Sequence, residues 1–176
     1  MIERRRRAKQ GGNTILELAL IITPFLAITL TIMELALPIF KKSTFESAVR
    51  EGCRYGITFQ TTYNGTTYGS QTAAIKAVVE YNSMGFLNTS NANLINVNYY
   101  NSATFADVTG SGAGLANADG NILQVSVSGY THNWIAPVQW VFGSTTFGLN
   151  NTPLSISAVS ADRLESLPVG SARPTP

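Results

Sequence analysis

Two carboxylates lie in or beside a long apolar stretch, where an acid is costly. Glu17 borders the stretch Leu18–Phe40, and Glu34 interrupts it about four helical turns further along. A carboxylate at the centre of a bilayer costs about 2.5–3.5 kcal/mol on insertion scales, and less near an interface. Glu17 could reach headgroup water or stabilise the helix N-terminus, and Glu34 could emerge at the opposite interface. The chemistry open to these acids is pairing with a cation.

Catalytic and metal-binding patterns are missing from the sequence. His132 is the only histidine, so a His-based metal cluster is impossible, and no G-x-S-x-G elbow accompanies it. The glycines of 110–114 lack the Lys-Ser/Thr that a phosphate loop needs, and NADGN at 117–121 lacks the later Gly and Glu of a calcium loop. Asp107 and Asp119 lie in turn sequence, where Asp is common for local reasons. We predict no enzyme, no cofactor and no metal.

Basic residues are concentrated at the N-terminus, although the net charge is only +2. Arg4, Arg5, Arg6, Arg7 and Lys9 supply five of the twelve basic residues. Between residues 56 and 161 only four residues are charged, which is typical of an exported domain with a neutral polar surface. Beside an apolar helix the arginine cluster predicts membrane topology, with no nucleic-acid partner. The single cysteine, Cys53, is interpreted as a small apolar helix residue.

The apolar stretch predicts one membrane-spanning helix. Leu18–Phe40 has 23 residues, and a span needs about 20. Five basic residues precede it and two, Lys41 and Lys42, follow it, so we expect a cytoplasmic N-terminus and an exported C-terminal domain. Pro24 predicts a kink and Pro38 a second weak point. No small-x-small cleavage site follows the run, which argues against an ordinary secretory signal peptide.

The residues before the span carry a more specific pattern. A basic leader, Gly12 before a scissile bond, Asn13 as first residue, Glu17 as fifth and then an apolar helix resemble a type IV prepilin (class III) signal. The resemblance implies cleavage by a prepilin peptidase between Gly12 and Asn13; cleavage after Gly11 is the alternative. The free amine on Asn13 could then pair with Glu17 of its own chain or of a neighbour, relieving the cost of the acid in lipid.

The next segment is similar to one protein family. TIMELALPIFKKSTFESAVREGCRYGI, residues 31–57, combines the intramembrane Glu34 with a REGARYA-like segment, here Arg50–Gly56. This resembles the TadE-like family, pseudopilins of the tight adherence (Tad) pilus systems. The predicted last strand, which runs from Leu154 into Arg163, also fits that family. The resemblance is strong over residues 11–57. It departs from the family at the start of the proposed mature chain, where Asn13 and Thr14 replace the commoner small residues.

The resemblance implies a minor pseudopilin, a non-enzymatic structural or assembly subunit of a Tad-type pilus (adhesion, surface attachment, biofilm) or related secretion apparatus. Implied partners are a prepilin peptidase, other pilins and pseudopilins, and the inner-membrane pilus platform. The protein would be single-pass in the inner membrane, with its C-terminal domain periplasmic or extracellular. Glu17 would serve recognition and assembly, and Glu34 a second interhelical contact. The rivals are an uncleaved single-pass binding module of the cell envelope and an envelope enzyme, which the scarcity of catalytic groups disfavours.

One long helix must position these residues, from about Thr14 to about Ile57. Phe45, Val49 and Cys53 recur on one face. Gly52 and Gly56 form G-x-x-x-G, which permits close approach of another backbone or tight packing on the chain's own domain. Its continuation into a small domain predicts a pilin-like lollipop.

The exported domain is predicted to be α+β. Ser70 is a candidate N-cap for a second helix that stops near Gly85. Alternating residues predict three antiparallel strands with helices on one face, around residues 95–99, 123–128 and from Leu154. We expect a surface loop at 102–121 and core roles for the aromatics between the last two strands, which are Trp134, Trp140 and Phe142. The boundaries are a leader at 1–12, a transmembrane helix at 13–40, the domain at 41–164 and a disordered tail at 165–176.

Overall fold

The computed structural model describes residues 11–112, 114–134, 153–168 and 170–176. Most of the predicted leader, together with Trp140 and Phe142, lies outside the described residues. The chain divides into two compact units, Met1–Leu37 with Asn133–Pro153 and Pro38–His132 with Leu154–Pro176. The first is described mainly by a helical segment, and the second contains the hydrophobic core and the strands.

The first helix, α1, comprises Gly11–Gly56 and confirms the long helix expected from the sequence. Pro24 and Pro38 each remove one backbone donor, yet the helix continues past both without a break. It ends just after Gly56, where a last helical bond joins Ile57 N to Cys53 O at 3.0 Å. Phe59 then takes a positive φ of 56°, which turns the chain away.

The second helix, α2, comprises Gln71–Asn82 and begins where the sequence predicts. The Ser70 hydroxyl accepts a hydrogen bond from Ala73 N at 3.1 Å, which satisfies one of the free donors of the first turn. The helix ends before the predicted stop at Gly85 because buried Ser83 caps it. The Ser83 hydroxyl donates to Glu80 O at 2.6 Å and accepts from Leu87 N at 3.0 Å.

A short hairpin with a two-residue turn joins the two helices and is not predicted from the sequence. Strands β1 (Thr62–Tyr63) and β2 (Thr66–Thr67) pair antiparallel. Asn64 and Gly65, with φ of 49° and 78°, form the turn. Asn-Gly is the sequence that such a type I′ turn prefers, because both central residues need positive φ. A short 3₁₀ helix, Thr89–Leu94, leads from α2 towards the main sheet.

The main sheet has three antiparallel strands in the order β3-β4-β5, as the alternation predicts. They are β3 (Ile95–Tyr100), β4 (Ile122–His132) and β5 (Leu154–Arg163). Val97 lies opposite Val125, and Val127 lies opposite Ala158. A long apolar helix, a second helix and this sheet make the chain α+β.

The core of the second unit lies between the sheet and the two helices. One face of each strand points inwards, and α1 and α2 each contribute an apolar stripe. The buried side chains that the helices and strands contribute to the core cluster are Phe45, Ala48, Val49, Cys53, Ile75, Val79, Ile95, Val97, Tyr99, Leu123, Val125, Val127, Ile156 and Ala158.

A β-bulge interrupts the pairing of β4 with β5. Ser128 and Gly129 lie between the pairs Val127–Ala158 and Tyr130–Ile156, which only one β5 residue separates. Gly129 has φ of 77°, which suits glycine in such a bulge. The extra residue changes which positions of β4 face inwards, so that His132 is buried at 5% exposure and Thr131 is exposed.

The loop and the tail differ from expectation. Within 102–121, Ala116 and Asn117 are completely buried, so the second half of this segment belongs to the core. The tail, for which we expect disorder, makes hydrogen bonds to the domain, including Gln71 N to Thr175 O at 2.8 Å. Side-chain amides and backbone groups form hydrogen bonds with each other here, so the tail is held to the domain without regular secondary structure.

Candidate functional site

The N-terminal half of α1 is apolar and uncovered. Its most apolar 18-residue window has a mean hydropathy of 2.3, and none of that window is buried. Large side chains such as Leu20 and Phe25 are 77% and 65% exposed. A core helix of a soluble protein would bury such residues, whereas a helix of this length and composition is compatible with a single membrane pass.

Hydroxyl groups within this apolar segment are satisfied by the helix itself. Thr23, Thr29 and Thr31 each donate to the carbonyl oxygen four residues earlier, at 2.7, 2.8 and 2.7 Å. This local bonding removes the cost of an unpaired hydroxyl in hydrocarbon. The threonines therefore fit a membrane segment without a partner helix.

The two candidate acids lie on the same helix but are not brought together. Their 17-residue separation corresponds to about 26 Å along a helix and to faces about 100° apart. Glu17 is exposed, whereas Glu34 is only 5% exposed. The structure gives each acid a separate environment, and a carboxylate pair of the catalytic kind is not formed.

Gly12 and Asn13 lie in the first turn of α1, one turn before Glu17. Residues i and i+4 share a helix face, and helical side chains lean towards the N-terminus. Residue 17 therefore lies on the same helix face as residue 13, one turn further along. This geometry follows from the spacing alone.

The two glycines of G-x-x-x-G face the chain's own domain. A Cβ on Gly52 would lie 2.5 Å from Val79 Cγ2 on α2. A Cβ on Gly56 would lie 2.7 Å from Ile75 Cδ1 and would also collide with Leu123 on β4. These glycines let α1 approach α2 and the sheet closely. Of the two alternatives that the sequence leaves open, this is tight packing on the chain's own domain.

The Arg50–Gly56 segment has two different faces. Arg50, Glu51 and Arg54 are exposed, and with Glu46 and two serines they line a polar groove on the outer face of α1. On the inner face the Cys53 thiol is 2% exposed and lies 3.6 Å from Leu123 O, to which it donates. Burial raises the pKa of this thiol to about 11, so Cys53 is protonated at neutral pH and is not a nucleophile.

A cation is held between aromatic rings close to the end of the apolar run. The Lys41 ammonium lies 5.4 Å from the ring centre of Phe86 and 5.3 Å from that of Tyr130. It also lies 3.3 Å from Nδ1 of His132. The bulge in β4 places Tyr130 and His132 on the face that meets Lys41. From the sequence, Lys41 has a role in topology only and His132 has no predicted structural role.

The tail and the 114–121 loop meet at a buried amide pair. Gln71 and Asn117 are both fully buried and joined by a 3.0 Å hydrogen bond. Gln71 Nε2 donates to Gly56 O at 2.6 Å, and Asn117 Nδ2 donates to Pro174 O at 2.9 Å. Alternation of polar and apolar residues gives no signal for such a pair, so sequence reasoning missed both residues.

The two aspartates of the turn sequence, Asp107 and Asp119, are engaged locally. Asp119 forms an ion pair with Arg173, and Asp107 accepts from the Thr109 amide at 2.9 Å. These partners lower the pKa of both carboxyls. Within the described residues no group of three metal-ligating side chains occurs.

Comparison with known proteins concerns the N-terminal part of the chain. Residues 12–54 match the model of a protein family described as TadE-like protein. The match confirms the resemblance inferred from residues 11–57. No curated protein and no solved structure matches the chain significantly.

Proposed function

We propose that this chain, a TadE-like protein over residues 12–54, is a minor pseudopilin: a structural or assembly subunit of a Tad-type pilus or a related secretion apparatus. The family suggests association with a Tad pilus. The finer role rests on the N-terminal signal and on the helix that follows it. Prepilin peptidase, other pilins and pseudopilins, and the inner-membrane platform are the proposed partners.

The observation that carries the proposal is the position of the family match. It begins at Gly12, the residue before the proposed cut, and it extends into the Arg50–Gly56 segment as far as Arg54. The matched part therefore contains the whole apolar half of α1 and both acids. Except at Glu34, this half of the helix is largely exposed, so it requires lipid or other helices around it.

Cleavage after Gly12 would change the electrostatics of the N-terminus. It would remove five basic residues and create an amine on Asn13, one helical turn from the Glu17 carboxylate. A cation beside that acid offsets the cost of placing it in lipid. Within one chain or between neighbours, the pair would favour side-by-side packing of such helices.

Glu34 is the proposed second polar contact in the membrane. Intramembrane acids are rare and usually functional. We place the N-terminus in the cytoplasm, because basic residues are more numerous before the span than after it.

The deciding experiment is the N-terminal mass of the protein from cells with and without their prepilin peptidase. A terminus at Asn13 that depends on the peptidase supports a pseudopilin. A leader that stays on in both strains contradicts the proposal and favours an uncleaved anchor that carries a binding module of the cell envelope. A cut after Gly11 would keep the class and shift the acid to position six.

A further inference from the structure

The loop that follows α2 presents an exposed methionine at a tight turn. Its two ends, Ser83 and Leu87, are buried, and the Ser83 hydroxyl accepts from Leu87 N at 3.0 Å. The three residues between them must therefore turn in a short space. Met84 and Gly85 take positive φ, 55° and 83°, and Met84 is 73% exposed, so its side chain lies outside the core. We call residues 83–87 the methionine loop.

The methionine loop contacts the last residue of the apolar run. The ring centres of Phe86 and Phe40 are 6.1 Å apart, and the rings meet edge to face at 78°. Phe40 ends the run Leu18–Phe40 and is 50% exposed. Met84 is two residues from Phe86, so the Cα atoms of the two residues lie within about 7 Å of each other. An apolar surface therefore continues from the end of the run, through the half-buried ring of Phe86, to Met84.

The direction of α2 explains why its last turn meets this part of α1. Gly52 on α1 lies against Val79 on α2. One turn further along α1, Gly56 lies against Ile75, which is one turn earlier on α2. The two helices are therefore antiparallel, and α2 ends beside the part of α1 that directly follows the apolar run.

A second exposed apolar side chain lies at the other end of the domain. Phe105 is 71% exposed and has φ of 55°, so it matches Met84 in both respects. It follows β3, which ends opposite the beginning of β4. β4 begins beside Gly56 and ends at the contact with Lys41. These two positions of α1 are about 22 Å apart along the helix, so Phe105 lies far from the end of the apolar run.

The groups around the methionine loop fit the boundary of a bilayer. The Lys41 ammonium lies 5.4 Å from the ring centre of Phe86, so a cation lies beside the loop, where the phosphates of lipid headgroups would be. Tyr81 is 67% exposed, and tyrosine is enriched at membrane–water interfaces. Glu80, the only acid of α2, lies further along the helix from the run. The exposed residues 88–90 that follow the loop are polar and uncharged.

We propose that the methionine loop rests on the surface of the bilayer, with Met84 at the boundary between headgroups and acyl chains. Phe40 is the last apolar residue of a segment long enough to span, so it marks this boundary. Its contact with Phe86 then holds the loop at the same level. The inference rests on the proposed membrane span, but it requires neither cleavage after Gly12 nor assembly into a pilus.

The test uses the full chain in phosphatidylcholine nanodiscs, with a fluorescent label on one new cysteine. Met84→Cys is the test position, Phe105→Cys is the matched control, and Ile28→Cys reports on the middle of the apolar run. The buried Cys53 stays in place, and labelling of the unsubstituted chain measures its background. Two quenchers are compared: phosphatidylcholine with a doxyl group on its acyl chain, and iodide in the water.

The two exposed positions should differ in which quencher reaches them. The label at position 84 should be quenched by the doxyl lipid and protected from iodide, at a depth of about 5–10 Å, as for other segments that lie in this boundary. The label at position 105 should be quenched by iodide and not by the lipid. The label at position 28 should be quenched by the lipid alone.

Equal quenching patterns at positions 84 and 105 would overturn the proposal. So would protection of position 84 from both quenchers, because a protein surface would then cover the loop. Lipid quenching at position 28 without lipid quenching at position 84 overturns this inference alone and leaves the span intact. Absence of lipid quenching at position 28 overturns the span and this inference together. The mass of the mature N-terminus is independent of all these outcomes.

Discussion

The Lys41 ammonium lies 3.3 Å from Nδ1 of His132, although the two residues are 91 positions apart. Lys41 directly follows the apolar run and His132 ends β4, so the contact ties the membrane-proximal part of α1 to the sheet. The flanking rings of Phe86 and Tyr130 make the site attractive to a cation. A lysine that the sequence assigns to topology therefore also has a structural role.

Lys41→Ala should lower the free energy of unfolding by about 1–2 kcal/mol, since it removes a cation from two ring faces. Lys42→Ala is the control, because Lys42 is exposed and should change stability by less than about 0.5 kcal/mol. Both are measured by denaturant unfolding of the full chain in micelles. Equal effects of the two substitutions would show that the aromatic site contributes nothing.

The sign of the glycine substitutions tests the packing of α1. Gly52→Ala and Gly56→Ala should each destabilise the domain by about 1–3 kcal/mol, because the new methyl groups overlap with α2 and β4. If the glycines served only a neighbouring chain, alanine would instead stabilise the helix by up to about 1 kcal/mol. Gly69→Ala has open space around it and is the control.

The buried thiol predicts a pH dependence of stability. The pKa of Cys53 is about 11 in the folded chain, above that of an unfolded cysteine, so only the protonated form suits the core. Its contribution is complete below the unfolded pKa and is lost as the pH rises towards 11. Cys53→Ala should therefore lose less stability than the native chain between neutral and strongly alkaline pH. The matching check is iodoacetamide, which should label Cys53 slowly until denaturant is added.

Asn117→Leu should destabilise the domain by about 1–3 kcal/mol, because Gln71 Oε1 and Pro174 O lose their donor in a buried site. The tail should also become more sensitive to protease. Ser171→Ala, at an exposed position of the same tail, is the control. Unchanged proteolysis in Asn117→Leu would mean that the amide does not hold the tail.

Glu17→Gln should reduce incorporation of the subunit into its assembly while leaving membrane insertion intact. The neutral amide is cheaper in lipid than a carboxylate, but it cannot form an ion pair with the amine that the proposed cleavage would leave on Asn13. Membrane fractionation and counts of surface pili distinguish the two effects. Normal piliation in this strain would contradict the assigned role of the acid.

Periodicity was sufficient for the two α-helices and the three strands of the main sheet, but it did not predict the Thr62–Thr67 hairpin or the short 3₁₀ helix. The 3.6-residue stripe of α1, the Ser70 cap and the alternation around Val97, Val125 and Ile156 predicted helices, strands and their inward faces. These signals are local, since each depends on which side of an element meets the core. The same alternation explains why an antiparallel sheet with helices on one face was the expected arrangement.

Contacts between segments that are distant in the sequence produce no periodic pattern from which they could be predicted. Whether Gly52 faces a neighbour or α2 depends on the position of Val79, which the glycine spacing does not specify. Gln71 and Asn117 look like ordinary surface polar residues until a tail carbonyl is placed next to them. The ending of α2 at Ser83 likewise depends on Leu87, whose amide bonds to its hydroxyl. These features arise from tertiary structure.

The bulge at Ser128–Gly129 keeps Tyr130 and His132 on the inward side of β4. Two β4 residues there face one β5 residue, so Tyr130 still lies opposite the buried Ile156. If the same residues formed a regular strand, alternation would turn Thr131 towards Lys41 and the imidazole of His132 towards solvent. A homologue that lacks one of the two bulge residues would keep the sides of the residues that follow, because the shorter strand would pair regularly with β5. In evolutionary terms, the bulge accommodates an insertion in β4 without exchanging the two sides of the strand.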